Sequence, residues 1–378
     1  GGLVPGFDYG SAASGDSVDM ILDANDVERI DALTGDYLAH ARELPVYFTL
    51  PGGGPNMLPA IGDNGGVEGC GPTLTGMMSA MVKLKKDAAA GWYLTKAGKA
   101  DEAAKAVAAV PADWPYGRRF PSIEWAALRD GWGDSGALLA FKSGFAEHHN
   151  HLDQNHFLVG WDKDWIITDP GYQIYDMDYP PERKMDRKAI KNMHVYTAQS
   201  EGHNTILVDG AGQNGKKGSI AEFFTSAALG WVVGDATPCY EEKLSRFRRS
   251  VVHLPGEYFI VYDEIAAPKP VKIEFKLHTA PDGQFIAAGQ AIALDAKSGA
   301  RSFDVRRPGG RVAVDLIAPR ATTARHLQWP DSEKYGHYLT IGTGVAAASQ
   351  ENAFVLTPGP ANWSALPCRK KEALVKVS

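Results

Sequence analysis

The hydrophobic pattern of this chain changes period once, near residues 111–122, and that change decides most of what it can fold into. Before it, apolar residues recur at helical spacing. Asp26 to Leu44 carries Val27, Ile30, Leu33, Leu38 and Ala41, with Asn25 or Asp26 placed to cap. A loop rich in glycine and proline follows, from Pro51 to Pro72. Thr73 to Lys96 then reads as one long helix whose Met77, Met78, Met81, Val82 and Leu84 form a core stripe, and Lys99 to Val110 as an alanine-rich third. Beyond Pro111-Ala112-Asp113-Trp114-Pro115 the apolar runs shorten to strand length. They include Gly136–Phe141, His156–Trp161, Asn204–Val208, Gly230–Gly234, Tyr258–Tyr262, Arg311–Leu316 and Ala353–Leu356, divided by Gly, Asp, Asn or Pro. Helices first and closely spaced strands after predict an α+β chain ending in an antiparallel β-sandwich. At roughly 150 residues per domain, 378 residues hold two or three domains. The division falls as 1–113 and 114–378, with a small C-terminal β subdomain from about 285.

Composition narrows the function. With 39 basic against 45 acidic residues the net charge is −6, so the chain lacks the basic surface a general nucleic-acid binder needs. No apolar stretch approaches the ~18 residues of a membrane helix. Cys70, Cys239 and Cys368 are far apart and form no CxxC, which excludes a structural zinc knuckle and leaves room for at most one disulfide. Residues 1–10 show neither a leader pattern nor an initiator Met and read as the start of a mature or truncated product. Nine tryptophans and 14 tyrosines are generous, as in proteins that stack sugar rings.

The densest chemistry lies in Glu147-His148-His149-Asn150-His151-Leu152-Asp153-Gln154-Asn155-His156, which holds four of the 11 histidines. On a strand, His149, His151 and Asp153 would share one face. Two imidazoles on one face need only one or two further donors to hold a metal. Asp169, in Thr168-Asp169-Pro170-Gly171, offers a carboxylate, and His203, in Ser200-Glu201-Gly202-His203-Asn204-Thr205, a further imidazole. The plainer reading is a hydrogen-bonded histidine cluster on a loop, and the two later motifs weigh against it.

His149-x-His151-x-Asp153, then Asp169-Pro170-Gly171, then Gly202-His203-Asn204-Thr205 and Val208-Asp209-Gly210 together resemble the heparinase II/III-type polysaccharide lyases, including alginate and oligoalginate lyases of the same architecture. The resemblance implies an α/α toroid of helical hairpins before the β-sandwich, with 1–113 as its C-terminal part. It implies zinc held by His151, Asp169 and His203, organising the site rather than performing the chemistry. His149 falls in the catalytic cleft, and Tyr9, in Pro5-Gly6-Phe7-Asp8-Tyr9-Gly10, matches the family's tyrosine turn with Pro5 where that turn has Glu. The family's earlier hairpins, which supply a carboxylate-neutralising Asn or His, have no counterpart here. The sequence therefore reads as a truncated or shortened relative whose toroid segment is missing.

The implied reaction is β-elimination on a uronic-acid glycan, a glycosaminoglycan such as heparin or heparan sulfate, or alginate. The C5 proton becomes acidic only when donors neutralise the adjacent carboxylate, and an acid and a base must then act on C5 and on the glycosidic oxygen. Tyr9 and His149 are the acid–base candidates, with roles left open. Substrate contact falls on Tyr172, Asn204 and Arg183. The basic clusters Lys243, Arg246, Arg248, Arg249 and Arg183, Lys184, Arg187, Lys188, Lys191 are more simply solvated faces. Trp161 and Trp165 are more simply core. Polymer degradation implies a periplasmic or secreted enzyme; a homo-oligomer is compatible with the sequence. Two rivals stand beside this reading. One is a non-catalytic glycan-binding relative. The other is a cupin-like metal oxygenase, suggested by Gly144-x4-His149-x-His151, although Asp153 and Gln154 stand where that motif wants Glu.

Overall fold

The computed structural model describes residues 40–62, 64–104, 108–144, 151–171, 196–328 and 333–363. Its helical part comprises α1 (residues 40–48), α2 (Thr75–Lys85), α3 (Ala88–Lys96) and the single turn α4 (Ala100–Ala103). The long helix expected over Thr73–Lys96 is two helices. Lys86 takes a left-handed backbone (φ 55°), and its N–H closes α2 on Met81 and Val82 carbonyls. Asp87 then caps α3, its Oδ1 accepting the Ala90 N–H at 2.9 Å. The methionine stripe is core as expected: Met77, Met78 and Met81 are buried with Tyr47, Phe48, Tyr93 and Leu94. Among the described residues these helices do not make up a toroid.

Among the described residues, those after 116 form antiparallel sheet joined by turns and short 3-10 segments. The first sheet runs in chain order: β1 (Gly117–Phe120), β2 (Trp125–Arg129), β3 (Ala137–Lys142), β4 (His156–Trp161) and β5 (Asp164–Ile167). Both its faces are covered. Leu138, Ala140, Leu158 and Trp165 join the helical core, while Leu139, Phe141, Phe157 and Val159 join the core of the sandwich beyond. Adjacent residues of a strand point to opposite faces, so a strand buried on both sides reads as one unbroken apolar run, as Ala137–Phe141 does.

The remaining strands are β6 (Ile206–Val208), β7 (Ser219–Thr225), β8 (Gly230–Asp235), β9 (Arg246–Leu254), β10 (Tyr258–Val271), β11 (Ile273–Thr279), β12 (Gln284–Ala287) and β13 (Gln290–Ala291). They continue as β14 (Lys297–Ser298), β15 (Ser302–Arg307), β16 (Gly310–Ala318), β17 (Thr323–Gln328), β18 (His337–Gly342) and β19 (Ala347–Gly359). Nine of them form a sheet in the order β13-β12-β15-β16-β19-β10-β9-β8-β7, and five a sheet in the order β14-β17-β18-β11-β6. Strands following residue 285 are woven into both. The apolar side chains of the two sheets and of one face of the first sheet merge in a single core, from Phe247 and Val261 to Phe275 and Leu339. Cys70 and Cys239 are buried; Cys368 lies outside the described residues.

Candidate metal centre

The three residues expected to hold a metal come from three separate connections and meet inside the protein. His151 lies in the segment entering β4, Asp169 just past the end of β5, and His203 after the 3-10 turn Ser200–Gly202. All three are fully buried, and one donor atom from each lies within 4.8 Å of the others. Two glycines make this approach feasible. Gly171 has φ +71°, pairs with Gly66, and would set a Cβ 2.7 Å from the Gly66 Cα. A Cβ on Gly202 would lie 2.6 Å from the Tyr196 carbonyl oxygen. The glycines of Asp-Pro-Gly and Gly-His-Asn are thus close-approach positions.

Asp169 is the hub. Its Oδ1 accepts the Gly171 N–H at 2.8 Å, and its Oδ2 lies 2.7 Å from His203 Nδ1 and 2.9 Å from His156 Nε2. Burial alone would raise its pKa, but the two imidazoles hold the carboxyl well below the usual range, so it is ionised. The His151 and His203 rings lie 5.2 Å apart between centroids. His203 Nε2 is buried and has no hydrogen-bond partner among the described residues. An unengaged buried imidazole nitrogen beside an ionised carboxylate and a second imidazole fits a borderline-soft divalent ion such as zinc, which takes N and O donors at about 2.0–2.2 Å.

The surrounding residues depart from expectation in two places. Residues 151–155 do not continue β4 but turn inward. His151 and Asp153 therefore have different tasks: Asp153 forms a fully buried ion pair with Lys142, at the end of β3. Asn204, expected to touch substrate, is fully buried and spends its amide on the protein. Its Nδ2 donates to the carbonyls of Phe157 and Thr168 at 2.8 Å each, and its Oδ1 accepts the His278 N–H at 2.7 Å. This ties β4, the end of β5 and β11 together behind the metal residues.

Two further residues belong to the site and were not expected there. His156 is one. Arg249, counted in a surface charge cluster, is the other. It is fully buried, pairs with Asp263 through Nε at 2.6 Å and Nη2 at 2.8 Å, and donates from Nη1 to the carbonyls of Asn155 and Asn204 at 2.6 and 2.7 Å. Its neighbours Arg246 and Arg248 do face outward, paired with Glu264 and Glu222. Trp165 is core, its indole N–H donating to the Asn56 carbonyl at 3.1 Å. Tyr9, His149, Tyr172 and Arg183 lie outside the described residues, as does the cluster from Arg183 to Lys191.

A family model described as heparinase II/III-like, C-terminal, matches residues 114–337. The chain belongs to that family. The histidine and Gly-His-Asn motifs that carried the resemblance lie within the matched stretch, and membership removes the support for a cupin. Among solved structures, this heparinase II/III-like chain is similar to the heparan sulfate lyase HepC from Pedobacter heparinus, with TM-score 0.63 and 14% identity over 86% of this chain and 47% of that one. It is also similar to a structure titled heparinase III, with TM-score 0.61 and 15% identity over 87% and 50%. At such identities the likeness is one of fold, and the chain spans about half the length of these structures. No curated protein matches the sequence.

Proposed function

We propose that this chain forms the metal-bearing half of a polysaccharide lyase, a carbon–oxygen lyase that cleaves an anionic, uronic-acid-containing glycan by β-elimination. The observation that carries this is the buried His151–Asp169–His203 set inside a heparinase II/III-like domain. A glycosaminoglycan, as heparin or heparan sulfate, is the first substrate class, by likeness to a heparan sulfate lyase; alginate is the second. In this reading residues 1–113 belong to an α/α toroid whose other hairpins lie outside this sequence, and residues 114–378 form the sandwich. Action on an extracellular polymer places the enzyme in the periplasm or outside the cell; among the described residues no helix is long and apolar enough to cross a membrane.

Each residue then has a task. His151, Asp169 and His203 would hold zinc, whose charge would tie together the three connections that carry them. His149 stands two residues from His151, so ordering that ligand places the imidazole in the cleft, where it serves as base or as partner of the uronate carboxylate. Tyr9 protonates the leaving glycosidic oxygen, and Tyr172 and Arg183 contact the sugar and its anionic groups. Neutralising the carboxylate makes the C5 proton removable, because the negative charge of the intermediate gathers there.

The test is ultraviolet absorbance of the unsaturated uronate during incubation with heparan sulfate, chondroitin, hyaluronan and alginate in turn. A rise with one polymer, abolished in His149→Ala, is expected. A zinc-loaded chain that binds a polymer without any rise would instead be a glycan-binding relative.

A further inference from the structure

The geometry assigns His156 a positioning role: its Nε2–H faces the Asp169 carboxylate and orients it for the metal, and His156 is not itself a ligand. This inference rests on the metal reading above and goes beyond it, because the decision follows from hydrogen-bond direction. His156 is fully buried at the first position of β4. The backbone N–H of Asn204 points at its Nδ1 with a separation of 2.9 Å. An amide can only donate, so Nδ1 is the accepting nitrogen and carries no proton. A neutral imidazole with an unprotonated Nδ1 has its proton on Nε2, and a protonated nitrogen has no lone pair to give a metal.

That Nε2 lies 2.9 Å from Asp169 Oδ2, an electrostatic contact angled off the line of a hydrogen bond. Asp169 is thus contacted by the Gly171 N–H on Oδ1 and, on Oδ2, by both His203 Nδ1 and His156 Nε2. Groups of this kind, standing behind a metal ligand, typically change metal affinity by about 10–100-fold when removed.

Two substitutions separate the two nitrogens. His156→Asn keeps an acceptor near the Nδ1 position for the Asn204 N–H and loses the donor to Asp169. His156→Gln keeps a donor near Nε2 and loses the acceptor. Zinc affinity of the full chain, measured by competition with a chelator, should fall at least tenfold in His156→Asn and stay within about threefold of wild type in His156→Gln. Thermal unfolding of the zinc-free proteins reports the structural cost alone. A loss of affinity in both variants in proportion to lost stability overturns the positioning role, as does wild-type affinity in His156→Asn. Imidazole proton–nitrogen NMR of the metal-free wild type supplies a readout independent of zinc. The Nε2-protonated form is expected at His156, and an Nδ1-protonated or doubly protonated ring overturns the assignment. A wild type that binds no zinc while showing the Nε2 proton would sink the metal reading and, with it, the role of His156 toward a metal.

Discussion

At the scale of single residues, the candidate site depends on buried polar side chains that bridge separate segments. Asn204 shows how much one amide carries. Its removal in Asn204→Ala leaves the Phe157 and Thr168 carbonyls and the His278 N–H without their partner inside the protein. A stranded buried group costs about 1–3 kcal/mol, so a loss of about 3 kcal/mol or more is expected in urea unfolding. A loss below about 1 kcal/mol would mean that the pocket relaxes around the gap. The clustering of His151, Asp169 and His203 was legible in sequence because His, Asp and Gly in short fixed motifs each answer a local demand: a lone pair, a charge, a close approach. The role of Asn204 was not. Its side chain points inward because the Phe157 and Thr168 carbonyls need a donor, and those lie 47 and 36 residues away. Nor was the role of His156, which depends on the direction of one backbone N–H.

At the scale of elements, periodicity identified most strands and misread those whose outward residues are charged. β9 reads Arg246-Phe247-Arg248-Arg249-Ser250-Val251, and the arginines mask a period-two pattern in which Phe247, Arg249 and Val251 all point inward. Taking the alternation before the charge would have placed Arg249 in the core. The division of the expected long helix has a local cause that the stripe of apolar residues hides. Asp87→Ala removes the cap of α3 and should cost about 1 kcal/mol, read from the thermal midpoint. Between β17 and β18 a histidine pair makes stability depend on pH. His326 Nδ1 is 2.6 Å from the Ile292 carbonyl, so it donates there, and its Nε2 accepts from His337 Nδ1 at 2.6 Å. Burial, aided by His326, lowers the His337 pKa from 6.5 to about 4. The folded state therefore binds fewer protons than the unfolded one across that interval. The pair's stabilisation is full above pH 6.5 and lost as pH falls toward about 4. Urea midpoints taken across the interval should fall with pH, and less steeply in His337→Gln; equal slopes would count against the pair.

At the scale of the whole molecule, the question is what keeps the first sheet, whose connections carry His151 and Asp169, seated on the sandwich. Apolar packing does most of it, since Phe157, Phe275 and Val261 share one core. Packing alone, however, does not fix the connections around residues 155 and 204. Arg249 does. Its guanidinium sits among Phe157, Phe247 and Phe275, is neutralised by Asp263 of β10, and holds the carbonyls of Asn155 and Asn204, the residues next to His156 and His203. One side chain of the nine-stranded sheet thus fixes both polypeptide segments that frame the metal centre. Arg249→Met would leave the Asp263 carboxylate buried with, among the described residues, the Asn352 amide at 3.3 Å. Breaking a buried pair from one side costs about 3–5 kcal/mol. Arg246→Ala, three positions earlier and on the outer face with Glu264, should cost less than about 1 kcal/mol. Urea unfolding of the two variants in parallel therefore measures the difference between an arginine at the centre of the fold and one on its surface. Zinc affinity should follow the same order, because the freed Asn155 and Asn204 carbonyls no longer hold the segments bearing His156 and His203. Equal losses of stability in the two variants would mean that the sandwich core positions the site without Arg249.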